Sequence, residues 1–216
     1  LFLADETLKG FQKEERGEDE YEKAYHKLKG ISIVYEDEHV IVMNKPAGIL
    51  SQKAQQEDLS LNEWLICYLL YSEKINKEQL STFKPSICNR LDRNTIGLVI
   101  GAKSLIGSQQ INELISSRKI HKYYRMFVKG QVLKEETLEG YLIKDERFNR
   151  VQLVKNRSEG GGSYIKTRFY PIKQFQDRTL VEAELITGKP HQIRIHMAST
   201  GHPLLGDYKY GDRRWN

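Results

Sequence analysis

Short apolar runs rich in β-branched residues begin at Ile31. Ile31-Ser32-Ile33-Val34-Tyr35 and Val40-Ile41-Val42-Met43 flank the polar tetrapeptide Glu36-Asp37-Glu38-His39. That pattern predicts two strands joined by a turn, the second ended by Asn44-Lys45-Pro46-Ala47-Gly48. Ser60 followed by Glu63 forms a capping-box signature before a segment carrying Trp64, Leu65, Leu69 and Leu70, so a helix is expected there. Residues 98–102 read as a short buried strand, and residues 105–118 as a second helix. In that helix Ile111, Leu114, Ile115 and Arg118 are spaced to turn one apolar face inward.

Beyond Ile120 the periodicity changes from helical to strand-like, predicting strands over residues 123–129, 151–154, 164–175 and 179–187. Gly160-Gly161-Gly162 reads as a loop. Pro190 suits the first turn of a helix running to about Thr200, with Gly201 as its left-handed cap. The fold class is therefore α+β, with mixed or antiparallel sheets and few helices. Residues 1–30 mix acidic and basic side chains with few large apolar ones, which predicts a solvated arm or linker before a domain over residues 31–216.

The 216 residues suffice for one large domain or two small ones. Hydrophobic and charged shares of 39% and 29% are those of an ordinary soluble protein. No apolar run approaches the roughly 18 residues of a membrane span, and no cleavable leader is visible, so a cytoplasmic protein without membrane contact is expected. Cys67 and Cys88 lack any metal-ligand or CxxC spacing and read as buried thiols. A net charge of +5 and a pI near 9.0 favour a polyanionic partner. No surface pattern argues against a monomer, and Leu1 suggests that residues precede the chain.

The chemistry concentrates in Asn89-Arg90-Leu91-Asp92-Arg93-Asn94-Thr95-Ile96-Gly97, where one carboxylate lies between two arginines. In an extended backbone Arg90 and Asp92 share a face and Leu91 takes the other. A neighbouring guanidinium favours the charged acid. Such an aspartate serves a nucleophile or a general base, and equally a structural ion pair. His191 and Arg194 would project together from a helix by the i, i+3 rule, while Ile193 and Met197 face the core. Lys122-Tyr123-Tyr124-Arg125 interleaves aromatic and cationic groups, a composition suited to stacking on a base while holding phosphate. His196 and His202 read as structural, and Asp207 as the pin of a turn.

Five segments in order carry a resemblance: Asn44-Lys45-Pro46-Ala47-Gly48; Arg90-Leu91-Asp92-Arg93 with Thr95 and Gly97; Lys122 with Tyr124; Thr187-Gly188-Lys189 with His191-Gln192-Ile193-Arg194 and His196; and Gly206-Asp207 with Tyr210-Gly211. Together they resemble the RluA-type family of RNA pseudouridine synthases, over most of the chain from Ile31 onward. Asn89 stands where that family commonly has histidine, Ile96 where serine is frequent, and Lys189-Pro190 where Arg-Thr is common.

The resemblance implies that Asp92 is the catalytic aspartate, that Tyr124 packs on the target uracil and is a candidate for proton transfer, and that Arg194 partners the aspartate. Substrate contacts are expected from Lys45, Arg90, Arg93, Lys122, His191 and Gln192. The implied fold is a catalytic domain whose sheet and flanking helices surround a central RNA-binding cleft, C-terminally incomplete here. Residues 1–30 would be the tail of an upstream S4-type RNA-binding module. The substrate would be structured ribosomal or transfer RNA presenting a flipped-out uridine. Neither a metal nor an organic cofactor is called for. Two rivals are a non-catalytic RNA-binding module of ribosome assembly and a carboxylate-dependent glycoside hydrolase. The latter generally needs a second carboxylate that the sequence does not nominate.

Overall fold

Part of the expected arm is a helix. In the computed structural model, which describes residues 20–145, 150–156 and 162–216, α1 (Glu20–Lys27) lies against α2 (Leu61–Tyr71). Glu20 and Glu22 in its first turn and His26 and Lys27 in its last complement the helix dipole. Ala24 is fully buried, and the Tyr25 ring stacks on Trp64 at 5.6 Å. Lys53 pairs with Glu20 at 2.6 Å. A single alanine and one aromatic face suffice to dock this helix, which is why a count of large apolar residues does not reveal it. Residues 1–19 of the expected arm, and Gly160 and Gly161 of the expected glycine loop, lie outside the described residues.

The chain divides into two compact units, up to Leu114 and from Ile115. In the first, β1 (Ser32–Glu36), β2 (Val40–Lys45), β3 (Ser86–Ile87) and β4 (Gly97–Ala102) form an antiparallel sheet of order β1-β2-β4-β3. Asp37 closes the expected turn, its Oδ1 accepting from the amides of His39 and Val40 at 2.8 and 2.7 Å. β2 turns Ile41, Met43 and Lys45 inward. α2 is apolar nearly all round, as a helix buried between a sheet and another helix must be. Gly101 of β4 permits the close approach: a Cβ there would lie 2.8 Å from the Leu65 side chain. The short α3 (Gln79–Thr82) precedes β3. α4 (Leu105–Ser116) stops before the expected Arg118, which is exposed with a positive φ, while Ile111, Leu114 and Ile115 are half-buried as expected.

The second unit is a five-stranded antiparallel sheet of order β5-β9-β8-β6-β7. Its strands are β5 (Tyr123–Lys129), β6 (Glu136–Asp145), β7 (Arg150–Val154), β8 (Ser163–Gln174) and β9 (Arg178–Leu185). α5 (Gln192–Ser199) packs on one face, where Val128, Phe169, Val181, Ala183 and Met197 form the core. Burying each of the larger side chains contributes roughly 1.5–3 kcal/mol. The other face carries ion pairs, Arg125 to Glu182 at 2.9 Å and Lys166 to Glu139 at 2.6 Å among them. This one-sided burial suits an antiparallel sheet. The fold is α+β.

Candidate active site

In the first unit the candidate carboxylate sits on a segment that belongs to no strand. Arg90 and Asp92 are exposed and Leu91 is buried, as an alternating extended backbone requires. Both neighbours of Asp92 are held. The Ser51 hydroxyl accepts the Leu91 amide at 2.9 Å and donates to the Leu91 carbonyl at 2.8 Å. The Arg93 carbonyl accepts from the Gly48 amide at 2.9 Å and from Lys45 Nζ at 3.0 Å. Thr95 N donates to the Asp92 carbonyl at 3.0 Å, closing the turn that follows. Asn89 stitches the segment to β4: its Oδ1 accepts from Ile100 N at 2.8 Å and its Nδ2 donates to the Leu98 carbonyl at 3.2 Å.

Lys45 departs from the phosphate contact expected of it. Its side chain is fully buried, and Nζ donates to the carbonyls of Pro46, Ile49 and Arg93 at 3.0, 2.9 and 3.0 Å. An ammonium has three N–H groups, so its donors are spent within the protein. Burial pulls its pKa down, and the charge of Asp92 pushes back. Arg90 and Arg93 are exposed.

In the second unit Tyr124 is half-buried on β5, on the same face as Met126 and Val128, which pack in the α5 core; Tyr123, Arg125 and Phe127 take the opposite, exposed face. Lys122 is half-buried beside Gly188, and desolvation lowers its pKa. Two cations of this strand are paired with carboxylates, Arg125 with Glu182 at 2.9 Å and Lys129 with Asp212 at 2.6 Å, and the His121 ring lies 3.0 Å from Glu184.

α5 begins two residues later than Pro190 suggested, because His191 takes the left-handed conformation, φ 57° and ψ 13°. Such a conformation costs a non-glycine residue on the order of 1–3 kcal/mol. Here it brings His191 Nδ1 to 2.9 Å from the Tyr210 hydroxyl. Gln192 was expected to touch substrate and instead is buried with its amide spent. Its Oε1 accepts from Thr187 Oγ1 and Lys189 N at 2.8 and 3.1 Å, and its Nε2 donates to the Lys166 carbonyl and Thr167 Oγ1, both at 2.9 Å. His196, fully buried, has Nδ1 2.9 Å from the same Thr167 hydroxyl, and burial lowers its pKa to about 4.

Arg194 is gripped by a carboxylate of its own unit. Nε and Nη2 donate to the two oxygens of Asp207, both at 2.7 Å, and the guanidinium carbon lies 5.1 Å from the Tyr210 ring centroid. This planar two-point pair fixes the guanidinium as one hydrogen bond could not. Asp207 also accepts from the amides of Lys209 and Tyr210 at 3.0 and 3.1 Å, so it does pin a turn. Burial raises its pKa, but the Arg194 hydrogen bond and the two amides outweigh that and hold it below the usual range. Sequence reasoning missed Ser51 and the pairing of Asp207 with Arg194. The Gly206-Asp207 turn was the one available signal.

Among the described residues, no group of three or more His, Cys, Asp or Glu is placed to hold a metal ion, and no helix is long and apolar enough to cross a membrane.

A family model described as RNA pseudouridylate synthase matches residues 39–199. An uncharacterized RNA pseudouridine synthase of Bacillus subtilis (strain 168) is 32% identical over 186 residues, 85% of this chain and 59% of that protein. The ribosomal large subunit pseudouridine synthase D of Zymomonas mobilis is 32% identical over 84% of this chain and 56% of its own length. The chain thus spans little more than half the length of these relatives. In fold it is similar to human RNA pseudouridylate synthase domain containing 4, with a TM-score of 0.68 at 23% identity over 86% of this chain and 70% of that one.

Proposed function

The chain belongs to the RNA pseudouridylate synthase family, and from that premise we propose that it converts a specific uridine of RNA to pseudouridine, with Asp92 as the reacting carboxylate. The isomerisation breaks the bond from C1′ to N1, turns the uracil, joins C1′ to C5 and releases the C5 proton while N1 gains one. A carboxylate can begin it by attacking C1′ or by taking a proton from the sugar. Tyr124 packs on the uracil and limits its escape, and it is the group proposed to relay the C5 proton. Arg194 is the proposed partner of the aspartate.

Arg90, Arg93, Lys122 and His191 are the proposed RNA contacts. Phosphate contacts position the strand, and the target uridine must be flipped out of its helix or loop to reach the carboxylate. The observation that carries the reading is the exposed Asp92 on a backbone tied at both neighbouring residues, since a reacting group must be open to substrate yet fixed. Relatives named for the large ribosomal subunit make ribosomal RNA the first substrate to test, ahead of transfer RNA. A monomer in the cytoplasm, working without metal or organic cofactor, completes the proposal.

The test maps pseudouridine in ribosomal and transfer RNA from cells lacking the gene, complemented with the full-length gene or its Asp92→Asn variant. One site should vanish and return only with Asp92 present. Full restoration by Asp92→Asn would sink the reading, and an unchanged map would favour a non-catalytic RNA-binding role.

A further inference from the structure

We infer that Ser51, acting with Lys45, is a positioning residue for Asp92. The inference rests on the reading of Asp92 as the reacting group, and it adds the machinery that holds that group in place.

A strand in a sheet has a ladder of partners for its amides and carbonyls, but residues 90–92 have no such neighbour, and Leu91 is buried. Buried backbone groups need partners from somewhere. One side chain supplies both: the Ser51 hydroxyl accepts from the Leu91 amide and donates to the Leu91 carbonyl. A single serine thus stands in for a partner strand at the residue before Asp92.

Ser51 is itself immobilised. It is 4% exposed, its carbonyl accepts from Asn62 N at 3.2 Å, and the carbonyl of Leu50 accepts from Leu61 N at 2.8 Å. Those donors lie in the first turn of α2, whose unpaired amides must find acceptors outside the helix. The start of a buried helix, the serine and the Asp92 segment therefore form one continuous hydrogen-bonded path.

Lys45 completes the clamp on the other side. Its ammonium joins the carbonyls of Pro46 and Ile49 to that of Arg93, so residues 46–49 and the residue after Asp92 are tied to one point. A methionine would fill similar space without the cost of burying a charge. What the ammonium adds is the three-way tie.

The experiment uses the full-length protein and unmodified RNA from a strain lacking the gene, and measures RNA affinity separately from the single-turnover rate at saturating protein. Displacing a reacting group by about 1 Å costs on the order of a hundredfold in rate, so Ser51→Ala should lose between about tenfold and a hundredfold in rate with its RNA affinity unchanged. Ser51→Thr, which keeps the hydroxyl, should restore most of the rate. A purely structural serine would not give that split or that rescue.

Wild-type rate in Ser51→Ala, or a loss confined to affinity, overturns the inference while leaving the role of Asp92 intact. An Asp92→Asn protein as active as the wild type overturns the underlying reading and this inference with it. Should Ser51→Ala fail to fold, Ser51→Cys decides, because its longer and weaker bonds to Leu91 should lower the rate with affinity kept. An unchanged rate in that variant refutes the clamp.

Discussion

The two units hold their candidate groups by different means. In the first, Asp92 rides on an irregular segment, and two buried side chains, Ser51 and Lys45, tie the backbone on either side of it. In the second, Tyr124 and Arg194 stand on a strand and a helix whose own hydrogen bonds fix the backbone, and the added interactions act on the side-chain tip or on the seating of the helix. A reactive group on a loop needs its main chain built for it. One on a regular element needs its orientation set and its element anchored.

The largest stability effect that separates the units comes from His196, because the second unit seats α5 on a buried imidazole. The folded-state pKa of about 4 lies below the ordinary 6.5, so the unfolded chain takes up a proton first as pH falls. The contribution is complete above pH 6.5 and is lost progressively down to about pH 4, some 3 kcal/mol in all at about 1.4 kcal/mol per pH unit. Denaturant unfolding between pH 7 and 4 should show this slope, and His196→Gln should flatten it. An unchanged slope in that variant would mean the histidine is not what anchors the helix against acid.

A smaller effect is expected at Asp207. Its side chain is 5% exposed and that of Arg194 is 25% exposed, so the pair is only partly screened, and Asp207→Asn should cost about 2 kcal/mol. The carboxyl is held below its ordinary value, so its contribution is present above the unfolded pKa and is lost as pH falls through the folded one. Joined with Arg194→Gln, the substitution should cost less than the sum of the two, since each alone strands the other's partner. Additive costs would show that Asp207 holds only its turn and that the tip of Arg194 is set elsewhere.

β2 and β4, with continuous apolar runs, and β9, with its alternation of buried and half-buried positions, were legible in the sequence, as were the α+β class and the alternation that exposes Arg90 and Asp92 around buried Leu91. β6 was not, because its apolar side chains, such as Leu138 and Leu142, are separated by Gly140 and by polar residues facing solvent. Lys45 and Gln192 were misjudged for a common reason. Both carry polar tips that composition assigns to the surface, yet each meets enough internal partners to be buried: three carbonyls for the lysine, two donors and two acceptors for the glutamine. Whether a polar side chain turns inward depends on carbonyls contributed by residues far along the chain, as Arg93 is from Lys45. No local window contains that information.

Cations supply the smallest effect and extend the comparison to the surface. Arg90 is exposed in the first unit, while Arg125 in the second is bonded to Glu182 at 2.9 Å. Under the proposed function Arg90 contacts phosphate directly, whereas Arg125 would first have to leave its carboxylate. Each phosphate contact made by a cation contributes roughly 0.7–0.9 to the slope of log affinity against log salt. Arg90→Gln should therefore lower that slope by somewhat less than one, and Arg125→Gln should leave it unchanged while costing no more than about 1 kcal/mol in stability. Salt titrations of RNA binding by the full-length protein would measure both. The reverse result would move the RNA-binding face to the outer surface of the second sheet, where Tyr123 and Phe127 flank Arg125, and would make its ion pairs part of recognition instead of ordinary surface compensation.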